Sequence, residues 1–289
     1  MKFNKLVLGG AQFGMPYGAT NLTGVPTDKV LRELLRQACN ADISLIDTAP
    51  AYGNSEIVLG RLRAGENFDF ITKTLTRGAM PDVATMVTEF HRSLRRLRKP
   101  AIKGLLFHDA EILTSTAGTA LFDGARQLKD DGLVQKLGVS VYSTKQIDAV
   151  LGKFDVDMVQ LPINLFDQRL LVSGALNRLK DRGVEIHARS AFLQGVMLST
   201  PEQLPRKVAM FSPFINKFRE RISELKLSPV EACLGFLLSI EAIDHIVVGV
   251  TSALELAEVL LALESTVQSD TFSDLAIDNP YLVDPRFWR

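Results

Sequence analysis

A carboxylate, a phenol, an amine and an imidazole stand at or just past the ends of three successive apolar runs: Asp47, Tyr52, Lys73 and His108. Asp47 ends Ile43-Ser-Leu-Ile-Asp47, Lys73 ends Phe70-Ile-Thr-Lys73, and His108 ends Leu105-Leu-Phe-His108. Tyr52 lies in the segment that follows Asp47. Side chains at the ends of adjacent strands, ~4.8 Å apart, can converge on one site. A tyrosine with its ordinary pKa of about 10 is a poor acid–base catalyst at neutral pH until its phenolate is stabilised, and a nearby ammonium does that. Lys73 is placed to supply the ammonium, Asp47 to keep it charged and oriented, and His108 to hydrogen-bond a substrate oxygen. A positioned proton donor of this kind contributes about 10²–10⁴ in rate.

The elements that must carry these residues alternate from end to end. Short β-type runs at 5–11, 43–48, 70–74, 102–108, 136–141, 157–163, 184–190 and 245–250 are separated by segments of helical periodicity, such as Val30-Leu31-Leu34-Leu35-Ala38 and Val87-Phe90-Leu94-Leu97. Helix starts are marked by Asn54 and by Ser228-Pro-Val-Glu231, which combines a cap, a first-position proline and a returning glutamate; Ser252-Ala-Leu-Glu255 has the same cap and glutamate. Eight strands alternating with helices over 289 residues predict a (β/α)8 TIM barrel. A doubly wound sheet is the rival. The turn after the first strand, Leu8-Gly-Gly-Ala-Gln-Phe-Gly-Met-Pro-Tyr-Gly, has neither GxGxxG nor a phosphate-loop lysine and serine. No Pro/Gly/Ser linker divides the chain, so 1–289 reads as one barrel domain with an irregular loop at 198–213 and a tail at 270–289 that ends near Trp288.

Composition excludes several classes. Apolar residues make up 46% of the chain and charged residues 23%, ordinary for a water-soluble fold. Lys plus Arg (33) equals Asp plus Glu (33), so no global field points to nucleic acid or an anionic membrane surface. The basic run His91-Arg-Ser-Leu-Arg-Arg-Leu-Arg-Lys99 places Arg92, Arg95, Arg96 and Lys99 on one helical face opposite Leu94 and Leu97, the pattern of a solvated outer face. No apolar stretch approaches the ~20 residues of a membrane span, and the N-terminus is too weakly apolar for a signal peptide. Cys39 and Cys233 fall in helical surroundings and read as reduced core thiols in a cytoplasmic protein. His91, His187 and His245 lack metal-ligand spacing, so no metal is expected.

The stretch Ile46-Asp-Thr-Ala-Pro-Ala-Tyr-Gly-Asn-Ser-Glu56-Ile-Val-Leu-Gly60 resembles the signature of the aldo-keto reductase family, and Lys73 and His108 fall at the spacing of the family's other two catalytic residues. Further resemblances follow in barrel order at Gly138-Val-Ser140, Val159-Gln-Leu-Pro-Ile-Asn164, Ser190-Ala-Phe-Leu-Gln-Gly195 and Gly249-Val-Thr-Ser-Ala-Leu-Glu-Leu-Ala-Glu258. The resemblance implies hydride transfer between a nicotinamide cofactor, NADP(H) or alternatively NAD(H), and a small aldehyde or ketone, including sugar-derived carbonyls. It implies Tyr52 as general acid, Lys73 lowering its pKa, Asp47 anchoring Lys73 and His108 orienting the carbonyl. Ser140 and Gln160 would hold the nicotinamide carboxamide, with Asp47 and Ser190 beside them. Gly249, Thr251, Ser252 and Glu258 would form the turn that receives the adenosine-side phosphate at a helix N-terminus, where free N–H groups favour an anion.

Three positions depart from that pattern. Arg189 stands where the family stacks an aromatic ring on the nicotinamide; a planar guanidinium also stacks, and is expected to line the cofactor. Val141 replaces an asparagine after Ser140. Glu255 and Val259 replace polar or basic residues near the adenine end, and Glu255 would oppose a 2′-phosphate unless it serves its helix cap; Arg206 and Lys207 are candidate substitutes for the missing charge. Two other readings share these residues. Lys73 could form a Schiff base as in barrel aldolases, against which Tyr52 and the eighth-strand turn argue. The barrel also serves as a cofactor-binding, redox-sensing regulatory subunit, against which the intact set of four argues. Substrate choice would rest on the segments after Thr74, after His108 and around 198–213, and on the tail, where Trp288 either folds over the mouth or caps the outside.

Overall fold

Each of the eight predicted runs contains or overlaps a strand, and the strands pair in parallel, in sequence order, until β8 meets β1. They are β1 Leu6–Gly9, β2 Leu45–Asp47, β3 Asp69–Lys73, β4 Ile102–Phe107, β5 Val134–Ser140, β6 Met158–Pro162, β7 Glu185–Arg189 and β8 His245–Gly249. The structure, a computed structural model, describes residues 2–76, 78, 82–265 and 267–288. Among the described residues, one principal helix follows each strand: α1 Asp28–Asn40, α2 Ser55–Arg61, α3 Val83–Leu97, α4 Gly118–Asp130, α5 Thr144–Leu151, α6 Ala175–Asp181, α7 Pro229–Ser239 and α8 Ala253–Ala262. The chain is a (β/α)8 barrel.

Period-2 alternation sorts each strand into two faces. One face packs outward under the helices. The other fills the barrel with Val7, Leu45, Ile71, Leu106 and Met158, joined by half-buried Val247. Two residues further along the same faces come Gly9, Asp47, Lys73, His108, Gln160 and Gly249. The parity that makes Leu45 and Ile71 core residues therefore aims Asp47 and Lys73 into the mouth. Interior space is tight: a Cβ on Gly138 would lie 2.3 Å from the Met158 carbonyl oxygen and 2.4 Å from Met158 Cγ. Glycine at 138 is what lets Met158 fill the barrel.

The helices form where the periodicity places them. α1 buries Leu31, Leu34, Leu35 and Ala38 and leaves Val30 exposed, each buried leucine contributing about 1.5–3 kcal/mol. Thr27, Asp82 and Ser143 cap α1, α3 and α5. Ser228 and Glu231 form the expected reciprocal box on α7. Asn54 departs from expectation: it precedes α2, but its side chain makes no cap bond. The basic face of α3 also differs: Lys99, just past the helix, donates to the Gly65 carbonyl at 3.1 Å. Arg96 turns in to donate to Glu56 (3.1 Å) and Glu89 (2.8 Å) instead of standing in water.

The segment 198–213 is largely 3-10 turns, Pro201–Gln203 and Arg206–Phe211, leading into an additional helix, Ser212–Glu224. The tail likewise folds as turns, Ser269–Leu275, Pro280–Val283 and Pro285–Phe287. Trp288 packs edge-on to Phe211 at 5.4 Å and donates to the Leu282 carbonyl at 2.7 Å. The segment after Thr74 falls partly on residues 77 and 79–81, outside the described residues. Among the described residues, no helix is long and apolar enough to cross a membrane.

Candidate active site

Lys73 and Asp47 meet at the ends of β3 and β2, where Lys73 Nζ donates to Asp47 Oδ1 at 2.6 Å and Oδ2 at 2.7 Å, and to the Thr48 carbonyl at 3.1 Å. Both side chains are almost fully buried, at 1% and 4% exposure. Burial alone favours a neutral amine and pulls the Lys73 pKa below its ordinary value, with the Asp47 carboxylate opposing that shift. Gln160 donates to Asp47 Oδ2 at 2.8 Å, so the carboxylate accepts from two elements besides its own.

Tyr52 covers this pair. Lys73 Nζ lies 4.8 Å from the centre of its ring, and His108 sits edge-on to it with ring centres 5.9 Å apart. The segment that carries Tyr52 is held at several points. The Tyr52 N–H donates to the Ala49 carbonyl, and Ser55 Oγ donates to the Gly10 carbonyl at 2.7 Å. Glu56, buried at the start of α2, accepts from Thr72 (2.7 Å), Ser93 (3.2 Å) and Arg96 (3.1 Å). The buried carboxylate thus has both a cation and neutral donors, the condition for burying a charge at low cost. It ties the Tyr52 segment to β3 and α3.

The electrostatics differ from the expected pattern at one point. Burial, and next the Asp47 carboxylate, raise the Tyr52 pKa above its ordinary value, while Arg189 is the cation that pulls it down. Lys73 is already neutralised by Asp47 at contact distance, so its field at the phenol is offset. Tyr52 is therefore a protonated phenol. His108 is held neutral: burial, reinforced by the Lys73 ammonium, pushes its pKa down to about 4. Its Nδ1 is buried without a hydrogen-bond partner.

A cavity of about 350 Å³ opens above these residues, lined among others by Gln12, Tyr17, Asp47, Tyr52, Gln160 and Arg189. At its far end it reaches Gly249, Thr251 and Glu255, and Ser190 borders it. Lys73 and His108 lie beneath and beside Tyr52, outside the lining, and so do Ser140, Ser252 and Glu258. Ser140 is the register partner of Gln160 at the top of β5, Ser252 is occupied in capping α8, and Glu258 is exposed further along that helix. Arg206 and Lys207 are exposed and do not line the cavity. Gln12 and Tyr17 carried no strand or motif signal; only the closing of the barrel brings the segment after β1 over the mouth.

Arg189 lines the cavity with its guanidinium 4.1 Å from the centre of the Tyr142 ring, and it donates to the Val141 carbonyl at 3.2 Å. Arg286, from the tail, lies 3.5 Å from the centre of the same ring. The backbone after β7 is held in the left-handed region at Ser190 (φ 63°), Leu193 (φ 47°) and Gln194 (φ 55°), and Asn164 Nδ2 donates to the Ser190 carbonyl. Non-glycine residues in this region cost of order 1–3 kcal/mol each and persist where the surroundings enforce them.

Glu255 closes the far end in an unexpected way. The Glu255 N–H donates to Ser252 Oγ as in a capping box, but the carboxylate does not return to the Ser252 N–H. It accepts from Thr251 N at 2.7 Å and Thr251 Oγ1 at 2.9 Å. The amide at the start of α8, where an anion would be received, already holds one.

The sequence profile of the Aldo/keto reductase family matches residues 5–277. The chain is 30% identical over 161 residues to aldo-keto reductase YhdN of Bacillus subtilis, an alignment covering 51% of this chain and 47% of that protein. It is 28% identical over 241 residues to D-arabinose 1-dehydrogenase of Saccharomyces cerevisiae, covering 76% of this chain and 68% of that one. The chain thus spans about half the length of the first of these relatives. Among solved structures, the holo form of aldo-keto reductase AKR11C1 from Bacillus halodurans superposes with a TM-score of 0.77 at 17% identity, over 95% of this chain and 93% of that one. With its closed barrel and a family match over nearly its whole length, the chain belongs to the Aldo/keto reductase family.

Proposed function

We propose that the protein reduces a small aldehyde or ketone with a nicotinamide dinucleotide, and that Tyr52 is the proton donor. The observation that carries this reading is the buried Lys73–Asp47 pair beneath a protonated Tyr52, with neutral His108 edge-on to the phenol, all at the mouth of one barrel. When bound, the nicotinamide supplies the hydride. Tyr52 donates its proton to the carbonyl oxygen as negative charge develops there. The phenolate that remains lies beside Lys73, which Asp47 fixes in place. Neutral His108 donates an N–H to the same oxygen and holds the carbonyl in plane. Arg189 favours the phenolate and is placed to line the cofactor.

The residues present fit a dinucleotide at the nicotinamide end. Gln160 spends its amide N–H on Asp47 and keeps its carbonyl oxygen for a carboxamide, with Ser140 beside it. Gly9 and Gly249 add no side chain to the floor, and a Cβ on Gly249 would meet Gln12 at 2.3 Å. At the phosphate end, Thr251 and Ser252 would receive the anion only once Glu255 swings outward, which its exposed position permits. An extra 2′-phosphate adds to the repulsion, so NADH is expected to bind at least as well as NADPH. A sugar-derived carbonyl is the favoured substrate class, in keeping with the name of the arabinose-oxidising relative.

The test is spectrophotometric. Purified protein is titrated with NADH and NADPH by nicotinamide fluorescence, then supplied with a panel of aldoses, short aldehydes and ketones while reduced-cofactor absorbance is followed. Tight cofactor binding with turnover of at least one carbonyl supports the reading. Tight binding without turnover across the panel would favour the redox-sensing alternative.

A further inference from the structure

The opposite end of the barrel holds a cluster that the reductase chemistry does not use. Glu185 and His187 lie on β7 with side chains on the same inward face, and His245 begins β8, where His187 and His245 are register partners. Their rings lie 4.6 Å apart. His187 Nε2 is 2.7 Å from Glu185 Oε1, and His245 Nε2 is 3.6 Å from the same oxygen. Glu185 is at the N-terminal end of β7, roughly 13 Å of strand from Arg189, and His187, the register partner of Gln160, lies midway between them.

We propose that Glu185, His187 and His245 form a binding site for a divalent transition cation of the zinc class. Their candidate ligand atoms all lie within 4.8 Å of one another. A tetrahedral ion with metal–nitrogen and metal–oxygen bonds of about 2.0–2.1 Å holds its ligands roughly 3.3 Å apart. The two nitrogen–oxygen separations, 2.7 and 3.6 Å, bracket that spacing. Small side-chain rotations would bring both to it.

Hydrogen bonding alone leaves the cluster incomplete. At 3.6 Å the His245 Nε2 contact with Glu185 is too long for a hydrogen bond. His245 Nδ1 is buried without a partner, and so is the Nδ1 of His187, a residue only 1% exposed. The nitrogens without a partner belong to imidazoles whose Nε2 atoms both face one carboxylate oxygen. Two imidazoles and one carboxylate are a donor set suited to zinc rather than to calcium or magnesium, which take oxygen ligands.

The surroundings supply the remaining parts. Lys136 contacts the other carboxylate oxygen, Oε2, so it orients Glu185 while leaving Oε1 as a single ligand. A cavity of about 580 Å³, lined by Lys136, Glu185 and His245 among others, opens onto the cluster and gives the ion an entry path and room for water as a fourth ligand. The three ligands sit on adjacent strands of a closed barrel, which limits how far they can drift apart.

Protein freed of metal by chelation is titrated with zinc by calorimetry and with cobalt by visible absorption. The expected result is one cation per chain and, with cobalt, the intense visible bands of a tetrahedral site. His245→Gln and Glu185→Gln should each weaken zinc by at least about 10–100-fold, since losses of that size follow even from changes to supporting residues around metal ligands. His91→Gln, a histidine elsewhere on the chain, should bind as the wild type does. His245 is 25% exposed at its side chain, so its replacement is compatible with folding, and the cobalt spectrum of wild-type protein tests the site without any variant. Failure of the wild type to bind zinc stoichiometrically, or equal binding by the His245→Gln and Glu185→Gln proteins, would overturn the proposal. The readout is binding, so it stands or falls independently of reductase turnover.

Discussion

Replacing Asp47 by asparagine removes the acid that contacts Lys73 in the barrel mouth, and the structure sets the size of the consequence. The carboxylate accepts two bonds from Lys73, at 2.6 and 2.7 Å, and one from Gln160 at 2.8 Å. An amide offers one acceptor oxygen and no charge. Breaking a buried pair by removing one partner costs about 3–5 kcal/mol, because the remaining charge is left in a poorly solvating site. For a chain of this size that lowers Tm by on the order of 10 °C. A second replacement, Lys73→Met, should return most of the loss, since removing both charges removes the desolvation penalty with them. The folded-state pKa of an unpartnered buried lysine lies below its unfolded value. Stability then rises with pH between those two values, and the Asp47→Asn defect should shrink toward about pH 9. Denaturant unfolding of wild type, both single variants and the double variant completes the thermodynamic cycle. An Asp47→Asn loss under about 1 kcal/mol, as for a surface pair, or additive effects in the double variant, would refute the reasoning.

Three further outcomes are expected. Glu255→Gln removes the negative charge held against the Thr251 N–H, so NADPH affinity should rise several-fold, up to about tenfold, and more than that of NADH; an unchanged ratio by fluorescence titration would place Glu255 away from the phosphates. With the His108 pKa near 4 and that of Tyr52 raised, kcat/KM should be level between about pH 6 and 9 and fall only in stronger acid; an inflection near pH 6.5 would mean that His108 titrates normally. Gly138→Ala should destabilise by about 1–3 kcal/mol or more through overpacking against Met158, and wild-type stability in denaturant would show that the barrel interior yields more easily than its geometry suggests.

The barrel was legible because alternation and helical periodicity repeat eight times, and each repeat narrows the choice of fold. Strand parity also carried the site: once Leu45 and Ile71 face the interior, Asp47 and Lys73 must face the mouth. What sequence could not give were relations across the sheet. His187 and His245 are far apart in the chain and share no ligand spacing, so only the pairing of β7 with β8 reveals their contact. Glu255 fits a capping box by spacing, yet its carboxylate prefers the neighbouring Thr251, a choice between two N–H groups that no pattern of residue types encodes. Arg96 looked like part of a solvated face because its partner Glu56 belongs to another helix. The phenol's electrostatics also depend on burial and on Arg189, which residue spacing does not reveal.

The central claim is that Tyr52 donates the proton at a site organised by Lys73, Asp47 and His108. The most direct test is single-turnover oxidation of bound reduced cofactor by a carbonyl substrate, comparing wild type with Tyr52→Phe. The account requires that Tyr52→Phe keep its cofactor affinity and its folding midpoint while the turnover rate falls by about 10²–10⁴. A Tyr52→Phe protein that turns over within a few-fold of wild type would contradict it.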